Sequence, residues 1–195
     1  MKKNELTTRR EFIYKTGMVS AGVSLGAASL NAMDYNRIRG ANDKIRMGFI
    51  GVGNRGSQLL KLFMDQPDVE VAALCDVYEP YLLRDRSKVD RRYLAVMPGQ
   101  IPVMGEKFPK PPVLYRDYRK LLENKEIDAV CIATPDHWHA LQVIDAVDAG
   151  KDIYVEKPLT ATIVEGRKMV EAQVRSGRVV AVGLNRRGNV VFQKL

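Results

Sequence analysis

The sequence predicts an α/β protein, a doubly wound parallel sheet of strand order 3-2-1-4-5-6, over residues 45–184. Three observations support this prediction. Six short apolar runs alternate with stretches of helical periodicity. The first run leads into a glycine-rich turn, Gly51-Val52-Gly53-Asn54-Arg55-Gly56, and the second ends on an acid, Asp76. The rules for crossover handedness then favour the stated strand order.

The first half of this domain begins with an apolar strand at residues 45–50. A helix is expected over 55–64, because four apolar side chains fall on one face: Leu59, Leu60, Phe63 and Met64. A second strand is predicted over 69–75. A second helix is expected to start near Pro80 and to continue to about residue 96, since proline is favoured in a first helical turn.

Residues 97–112 predict an irregular surface loop. No helix or central strand tolerates this density of proline, and a loop of this length is either functional or simply inserted. The prolines are Pro98, Pro102, Pro109, Pro111 and Pro112.

The second half of the domain continues the alternation. Strands are predicted over 113–115, 129–133, 153–155 and 178–183, with helices over 118–124, 137–149 and from Thr162 to Gly177. Asp117 and Asp136 are expected to cap the first two helices, and Gly150 to end the second. Thr162 and Glu165 have the spacing of a capping box.

Composition indicates a globular protein, with 46% hydrophobic and 28% charged residues. The formal net charge of +8 shows no basic stripe interleaved with aromatic residues, so nucleic acid is not expected as a partner. The only cysteines, Cys75 and Cys131, fall on strands 2 and 4, with strand 1 between them. That separation is too large for a disulfide, so two buried thiols are expected.

The N-terminus has the features of an export signal over residues 1–32. Lys2 and Lys3 precede the adjacent Arg9 and Arg10, and a weakly apolar stretch of small residues follows. Paired arginines favour the twin-arginine route and a periplasmic location. The apolar stretch is too short for a good membrane span, and no stable span is expected after the signal is removed. An uncleaved anchor and a frayed amphipathic helix are the alternatives. Residues 33–44 are expected to form a linker.

The glycine-rich turn predicts binding of a dinucleotide. Gly51 allows a sharp turn, Gly53 lets a pyrophosphate approach the backbone, and Gly56 permits close packing of helix and strand. Asn54 and Arg55 open the helix, whose N-terminal N–H groups face the phosphates. A glycine-rich turn without a ligand is the alternative, which the flanking strand and helix make less favourable.

Asp76 lies twenty residues after Gly56, at the end of strand 2. A carboxylate there accepts hydrogen bonds from the adenosine ribose and repels a 2′-phosphate. The next residues, Val77 and Tyr78, supply no arginine for such a phosphate. The sequence therefore favours NAD over NADP, the alternative being a strand-ending acid in a turn.

The segment Thr134-Pro135-Asp136-His137-Trp138-His139 follows strand 4, beside the switch point where such sheets bind ligands. Thr134 and Pro135 are expected to border the ribose and nicotinamide, and His139 to pack under the cofactor. A shared metal is not expected, since two histidines at i and i+2 point to different sides of a helix.

The segment Glu156-Lys157-Pro158 ends strand 5 and faces the same cleft. A lysine there could bond a substrate hydroxyl and take its proton while hydride leaves the carbon. On spacing alone, a solvated lysine in a strand–helix loop is the favoured interpretation.

These motifs together resemble the glucose–fructose oxidoreductase / inositol dehydrogenase / rhizopine-catabolism family (Gfo/Idh/MocA), from residue 45 to the end of the chain. The resemblance implies an oxidoreductase that moves hydride between NAD(H) and a sugar or polyol. It assigns Lys157 as the catalytic lysine and places Glu156, Thr134 and Pro135 at the nicotinamide, with Asn185 close to the same cleft.

The resemblance implies a second α/β domain, which members of this family share and which holds the substrate and mediates oligomerisation. Residues 185–195 are therefore expected to be the start of a truncated C-terminal domain, and a homo-oligomer is expected only if that domain is present. Two alternatives stay open. One is a glycosidase relative that uses bound NAD, although such relatives depart from Glu-Lys-Pro. The other is a non-catalytic NAD-binding module.

Overall fold

Six parallel strands form one sheet in the order β3-β2-β1-β4-β5-β6, as the sequence predicts. The structure, a computed structural model, describes residues 44–92 and 104–184. The strands within these ranges are β1 (Ile45–Ile50), β2 (Val69–Cys75), β3 (Val113–Tyr115), β4 (Ala129–Ile132), β5 (Asp152–Glu156) and β6 (Val180–Gly183). The helices there are α1 (Asn54–Met64), α2 (Glu79–Leu82), α3 (Tyr118–Glu123), α4 (Asp136–Asp148) and α5 (Ile163–Ser176).

The central strand β1 pairs with β2 on one side and with β4 on the other. The chain therefore winds outward from β1 through β2 to β3, then returns to the centre and winds the other way. In sheets of this class the loops that leave the carboxyl ends of the two central strands, here β1 and β4, border the ligand cleft. The predicted switch point is confirmed.

Alternate residues of β1 face two separate cores, since side chains alternate across a strand. Phe49 packs with Leu59 and Leu60 of α1 on one face of the sheet. Ile50 packs on the other face with residues of α3 and α4, including Leu121 and Val143. All six side chains are buried, so both faces of β1 are closed to water at the carboxyl-terminal end of the strand.

The turns that bound α5 match the prediction. Thr162 Oγ1 accepts from the Glu165 N–H, and the Glu165 carboxylate accepts from the Thr162 N–H, which completes the capping box. Gly177 ends the helix with φ of +67°, a left-handed conformation that glycine adopts without strain.

The predicted long helix over 80–96 is wrong. Helix α2 ends at Leu82, and Arg84 adopts a left-handed backbone with φ of +55°. A short 3₁₀ helix, Arg86–Lys88, follows, with Asp85 as its cap. The chain leaves the helix here because the Arg84 side chain is bound to backbone and side-chain acceptors elsewhere in the domain. Residues 93–103 lie outside the described part of the chain.

The predicted cap of α4 is also wrong. The helix begins at Asp136 itself, with Pro135 in the capping position, and the Asp136 carboxylate accepts only from the adjacent N–H of His137. Pro135 has φ of −56°, as its ring requires, and ψ of 145°, which keeps it outside the helix. The caps of α3 behave as predicted, since Asp117 accepts from the Arg119 N–H.

The two cysteines are free, buried thiols on either side of β1, where Cys75 pairs with Ile50 and Cys131 with Phe49. Burial, aided by the charges of Asp76 and Asp117, raises the pKa of Cys75 to about 12, so this thiol stays protonated. The expectation that strand 1 separates them is confirmed.

The signal and linker predicted for residues 1–43, and the segment 185–195 with Asn185, lie outside the described residues. Among the helices that are described, none combines the length and apolar character that crossing a bilayer requires.

Candidate functional site

The glycine-rich turn joins β1 to α1 at the mouth of the cleft. Gly51 has φ of +83°, and a Cβ on it would lie 2.9 Å from the Thr134 backbone N. A Cβ on Gly56 would lie 1.9 Å from the Gly51 carbonyl oxygen, a contact that no side chain allows. These two glycines are therefore required by the turn itself, which brings the first turn of α1 close to β1.

The N-terminus of α1 lies at the glycine-rich turn and is the end of this helix that would meet an anion. No side chain in the described part of the chain caps this helix, and its first turn carries no acid. The first N–H groups of a helix have no partner within it, and they attract anions. Asn54 adds a buried amide oxygen that has no hydrogen-bond partner among the described residues.

Asp76 contacts the glycine-rich turn directly. Its Oδ2 accepts from the Val52 N–H at 2.9 Å, and its Oδ1 accepts from the Tyr78 N–H at 2.9 Å. Burial raises the pKa of Asp76 above its ordinary value of 3.8, and these hydrogen bonds with the charge of Arg84 offset only part of that effect. We call this group, Gly51 to Gly56 with Asp76, the glycine-turn end of the cleft.

Two tyrosines stand beside this end and escaped the sequence analysis. The rings of Tyr78 and Tyr81 meet edge to face with centroids 4.9 Å apart. A Cβ on Gly53 would meet the Tyr81 ring at 3.2 Å, so this ring borders the turn. Their spacing, two and five residues after the strand-ending acid, is the signal that could have found them.

The Thr134 segment lies on the opposite side of the cleft. The Thr134 hydroxyl donates to Gln142 Oε1 at 2.6 Å, and its methyl group packs against Gly51. Pro135 follows as the cap of α4. Thr134 thus connects the carboxyl end of β4 to both α4 and the glycine-rich turn.

His139 is buried below this segment, with 1% of its surface exposed. Its Nδ1 lies 2.7 Å from the Pro158 carbonyl oxygen, and its Nε2 lies 2.8 Å from the Thr134 carbonyl oxygen. Both contacts are to the backbone, so His139 joins the loop after β4 to the loop after β5. His137, by contrast, is exposed.

Glu156 is buried at the end of β5, and both of its carboxylate oxygens are bound. Arg55 contacts Oε1 through Nε at 2.7 Å and through Nη2 at 2.6 Å, and Oε2 accepts from the Lys157 N–H at 3.0 Å. The Lys157 side chain is exposed, and the peptide bond to Pro158 is cis. We call Thr134, His139, Glu156 and Lys157 the Glu-Lys-Pro end of the cleft.

The structure thus brings the predicted site residues of both ends to the carboxyl edge of the sheet. Arg55, which is predicted to lie beside the phosphates, has its side chain in contact with Glu156. Tyr154 and Gly183 were missed. A Cβ on Gly183 would lie 2.6 Å from the Tyr154 hydroxyl and 3.1 Å from Glu156 Oε1, so only glycine fits beside this cluster.

The residues present fit a bound dinucleotide. The turn excludes side chains, the uncapped helix attracts a diphosphate, and a carboxylate stands where a ribose would end. The orphaned Asn54 oxygen is a further acceptor for a ligand hydroxyl. Together with the switch point, these features define a dinucleotide-binding domain of the doubly wound class.

Comparison with known proteins specifies this class further. Residues 45–184 match the family model described as the oxidoreductase family with an NAD-binding Rossmann fold, so the chain belongs to the Gfo/Idh/MocA family. The domain is the NAD-binding domain of that family. The predicted fold, family and cofactor are therefore confirmed.

Among curated relatives, the chain is similar to the α-N-acetylgalactosaminidase of Shewanella oneidensis, with 32% identity over 86% of this chain and 37% of the relative. The chain thus spans little more than a third of that relative's length. Among solved structures it is similar to an NAD-binding protein from Listeria innocua, with 25% identity, a TM-score of 0.59 and coverage of 77% and 38% of the two chains.

A third similar protein is the WlbA dehydrogenase from Bordetella pertussis, whose structure holds NADH and UDP-GlcNAcA. Its identity is 24%, with a TM-score of 0.60 and coverage of 80% of this chain and 39% of that one. At this identity the likeness shows the fold alone.

Proposed function

We propose that the protein is an NAD-dependent oxidoreductase that moves hydride between NAD(H) and a sugar or polyol. The observation that carries the proposal is the Arg55–Glu156 ion pair, with contacts of 2.6 and 2.7 Å. It fastens the Glu-Lys-Pro segment to the first turn of the helix that would bind the diphosphate. A catalytic Lys157 would thereby be held near a bound nucleotide.

At the glycine-turn end, Gly51, Gly53 and Gly56 would admit the pyrophosphate to the backbone, with Asn54 completing the first turn of α1. Asp76 would accept both hydroxyl hydrogen bonds of the adenosine ribose, and its charge would repel a 2′-phosphate. Its two oxygens already accept backbone N–H groups, which fix the carboxylate before the ligand arrives.

At the Glu-Lys-Pro end, Thr134 and Pro135 would border the nicotinamide, with His139 beneath them. Bound NAD supplies the hydride acceptor. Lys157, in its neutral form, would take the proton of a substrate hydroxyl as the carbon loses hydride, leaving a carbonyl product and a lysine ammonium. Glu156 would hold the backbone of Lys157, whose N–H already donates to the Glu156 carboxylate.

A carbohydrate substrate is supported by the relatives. One curated relative is named for cleaving an N-acetylgalactosaminide. Such a sugar presents hydroxyl groups, which suit a lysine that bonds a hydroxyl. We propose that further sequence in the whole protein, with Asn185 at its start, completes the substrate pocket and any homo-oligomer.

A binding experiment tests the nucleotide site. Trp138 is the single tryptophan and lies in the first turn of α4, next to Pro135, so energy transfer from Trp138 reports bound NADH. We expect NADH to bind more tightly than NADPH and Asp76→Asn to weaken NADH binding at least about tenfold, as loss of a charged hydrogen bond does. Unchanged NADH affinity in Asp76→Asn would contradict the ribose assignment.

A kinetic experiment tests Lys157, using protein expressed from its complete reading frame and a panel of sugars and polyols. We expect NADH to accumulate with one substrate, and Lys157→Met to lower kcat by about 100-fold or more. The NADH dissociation constant of the variant should stay near that of the wild type. Equal kcat in both proteins would exclude the lysine.

A second candidate function is glycoside cleavage with NAD as a bound, recycled cofactor. The 32% identity to an α-N-acetylgalactosaminidase favours it. The same protein would then release the aglycone from an aryl α-N-acetylgalactosaminide without net NADH. Tight NADH binding with neither activity would indicate a non-catalytic NAD-binding module.

We also propose that residues 1–32 direct export by the twin-arginine route to the periplasm, with residues 33–44 as a linker. The adjacent Arg9 and Arg10 ahead of a weakly apolar stretch support this assignment. Fused to a reporter, residues 1–32 should export it, and replacing both arginines by lysine should abolish export. Export that survives the replacement would rule out this route.

A further inference from the structure

Arg84 is a buried cation next to the glycine-turn end, with 8% of its surface exposed. All five of its N–H donors have acceptors. Nη1 donates to the Val52 and Tyr81 carbonyls at 2.7 and 3.3 Å, Nη2 to Ser57 Oγ and Glu106 Oε1 at 2.8 and 2.5 Å, and Nε to Glu106 Oε2 at 2.9 Å. Glu106 thus binds two of the five donors.

The guanidinium stands close to Asp76. The two side chains bind opposite backbone groups of one residue, since Asp76 accepts from the Val52 N–H and Arg84 donates to the Val52 carbonyl. Burial dominates the raised pKa of Asp76, and Arg84 is the charged group that acts against it. The charge of Arg84 therefore reaches the place where a ribose would bind.

Glu106 belongs to the proline-rich segment between α2 and β3, to which the sequence analysis gave no role. It lies 22 residues after Arg84, with 13% of its side chain exposed. Burial, the largest single influence, raises the pKa of Glu106, but the hydrogen bonds and charge of Arg84, together with backbone hydrogen bonds, outweigh it and hold the pKa below its ordinary value. The carboxylate is therefore ionised at neutral pH, and it cancels the charge of Arg84.

We propose that Glu106 is a specificity-determining residue that excludes NADP by neutralising Arg84. The inference rests on the proposed function of Asp76 as the ribose acceptor. With Glu106 in place, the three side chains Asp76, Arg84 and Glu106 carry a net charge of −1. Without it their net charge is zero, and two guanidinium donors lose their acceptor. A 2′-phosphate, which carries a charge of about −1.5 to −2 at neutral pH, is then repelled less.

Glu106→Gln tests this directly, because glutamine keeps the shape and removes the charge. Dissociation constants for NADH and NADPH are measured by energy transfer from Trp138. We expect the ratio of the NADPH constant to the NADH constant to fall at least about fivefold, given the Coulomb energy between a unit charge and a phosphate nearby. Glu123→Gln, an exposed member of an ion pair on α3, is the matched control and should leave the ratio unchanged.

Arg84→Gln should change the ratio of the two dissociation constants in the opposite direction. It tests the proposal independently if Glu106→Gln does not fold. It removes the positive charge beside the ribose and adds none, so the ratio should rise. Damage to structure alone would weaken both nucleotides together, without opposite changes in their ratio. A ratio unmoved by Glu106→Gln, or moved in the same direction by both variants, overturns the proposal.

Failure of this inference is distinguishable from failure of the proposed function. If Asp76→Asn leaves NADH affinity unchanged in the wild-type background, the ribose assignment itself fails. If Asp76→Asn weakens NADH binding while Glu106→Gln leaves the ratio unmoved, only the role of Glu106 fails.

Discussion

Asp76 at the glycine-turn end contacts backbone N–H groups of Val52 and Tyr78, whereas Glu156 at the Glu-Lys-Pro end contacts the guanidinium of Arg55, 101 residues away in sequence. The first end is built around backbone groups of the segments that follow the neighbouring strands β1 and β2. The second is built from side chains that bridge separate elements. A backbone conformation is lost only when a substituted residue cannot adopt it. A side-chain contact such as that of Arg55 with Glu156 is lost when either partner is replaced.

The largest expected effect is at the glycine-turn end. In Gly56→Ala the new methyl group would lie 1.9 Å from the Gly51 carbonyl oxygen, so the turn must open. We expect the free energy of unfolding to fall by about 3 kcal/mol, in the upper range for overpacking, with loss of NADH binding. Urea denaturation followed by circular dichroism measures the first, and energy transfer from Trp138 the second.

Gly166→Ala is the matched control, because a Cβ there meets only Thr160, at 3.7 Å, inside helix α5. Alanine in a helix should stabilise the fold by about 0.5–1 kcal/mol relative to glycine. Equal losses in the two variants would show that the tight turn is not the cause.

The ion pair at the Glu-Lys-Pro end should come next. Arg55→Gln leaves the buried Glu156 carboxylate without its cation, which should cost about 3 kcal/mol of unfolding free energy. Arg55→Gln combined with Glu156→Gln should lose less than the sum of the single losses. A double-mutant cycle by urea denaturation measures the coupling.

The exposed pair Lys168–Glu171 on α5, with a contact of 2.7 Å, is the control for that cycle. Its coupling should stay below about 0.5 kcal/mol, as for other surface pairs. Equal coupling at the two sites would mean that burial does not strengthen the Arg55–Glu156 bridge.

The two histidines of one motif give a smaller and sharper contrast. His139→Ala removes both backbone contacts and leaves the carbonyls of Thr134 and Pro158 without this partner. We expect about 2 kcal/mol of destabilisation and weaker NADH binding. His137→Ala, at an exposed position on the same turn, should change neither quantity. Thermal melts and NADH titrations of both variants check this, and matched losses would refute the role given to His139.

The smallest expected effect is on pH dependence. Burial raises the pKa of Asp76 above 3.8, so its charge is lost on acidification earlier than that of an ordinary aspartate. A raised pKa of an acid favours the protonated folded state, so this titration does not itself unfold the domain. NAD affinity should nevertheless fall as Asp76 protonates, because the ribose loses its charged acceptor.

Calorimetric titration with NAD over descending pH measures this loss, and circular dichroism confirms that the fold persists. Asp76→Asn should show weak affinity that depends less on pH. A wild-type affinity that stays constant through the titration would break the link between Asp76 and the ribose.

Local pattern predicted most of the fold. The strand positions and the capping box of α5 follow from residues that are close in sequence, and the crossover rules then give the strand order and the separation of Cys75 from Cys131. The helix over 80–96 failed because its end depends on Arg84, whose side chain is bound by Val52, Ser57 and Glu106. Periodicity reports which face of a segment is apolar, and it does not report where a long side chain finds its acceptors.

The sequence by itself determined the class of domain, its cofactor and the residues of the glycine-rich turn. Each of these depends on a short spacing with a fixed geometric consequence. Only the tertiary structure decided that Arg55 faces Glu156, that His139 joins two loops and that Glu106 neutralises Arg84. Each of these contacts includes a partner 19 to 101 residues away in sequence, and only the folded sheet brings the two together. No local sequence pattern encodes contacts over such separations.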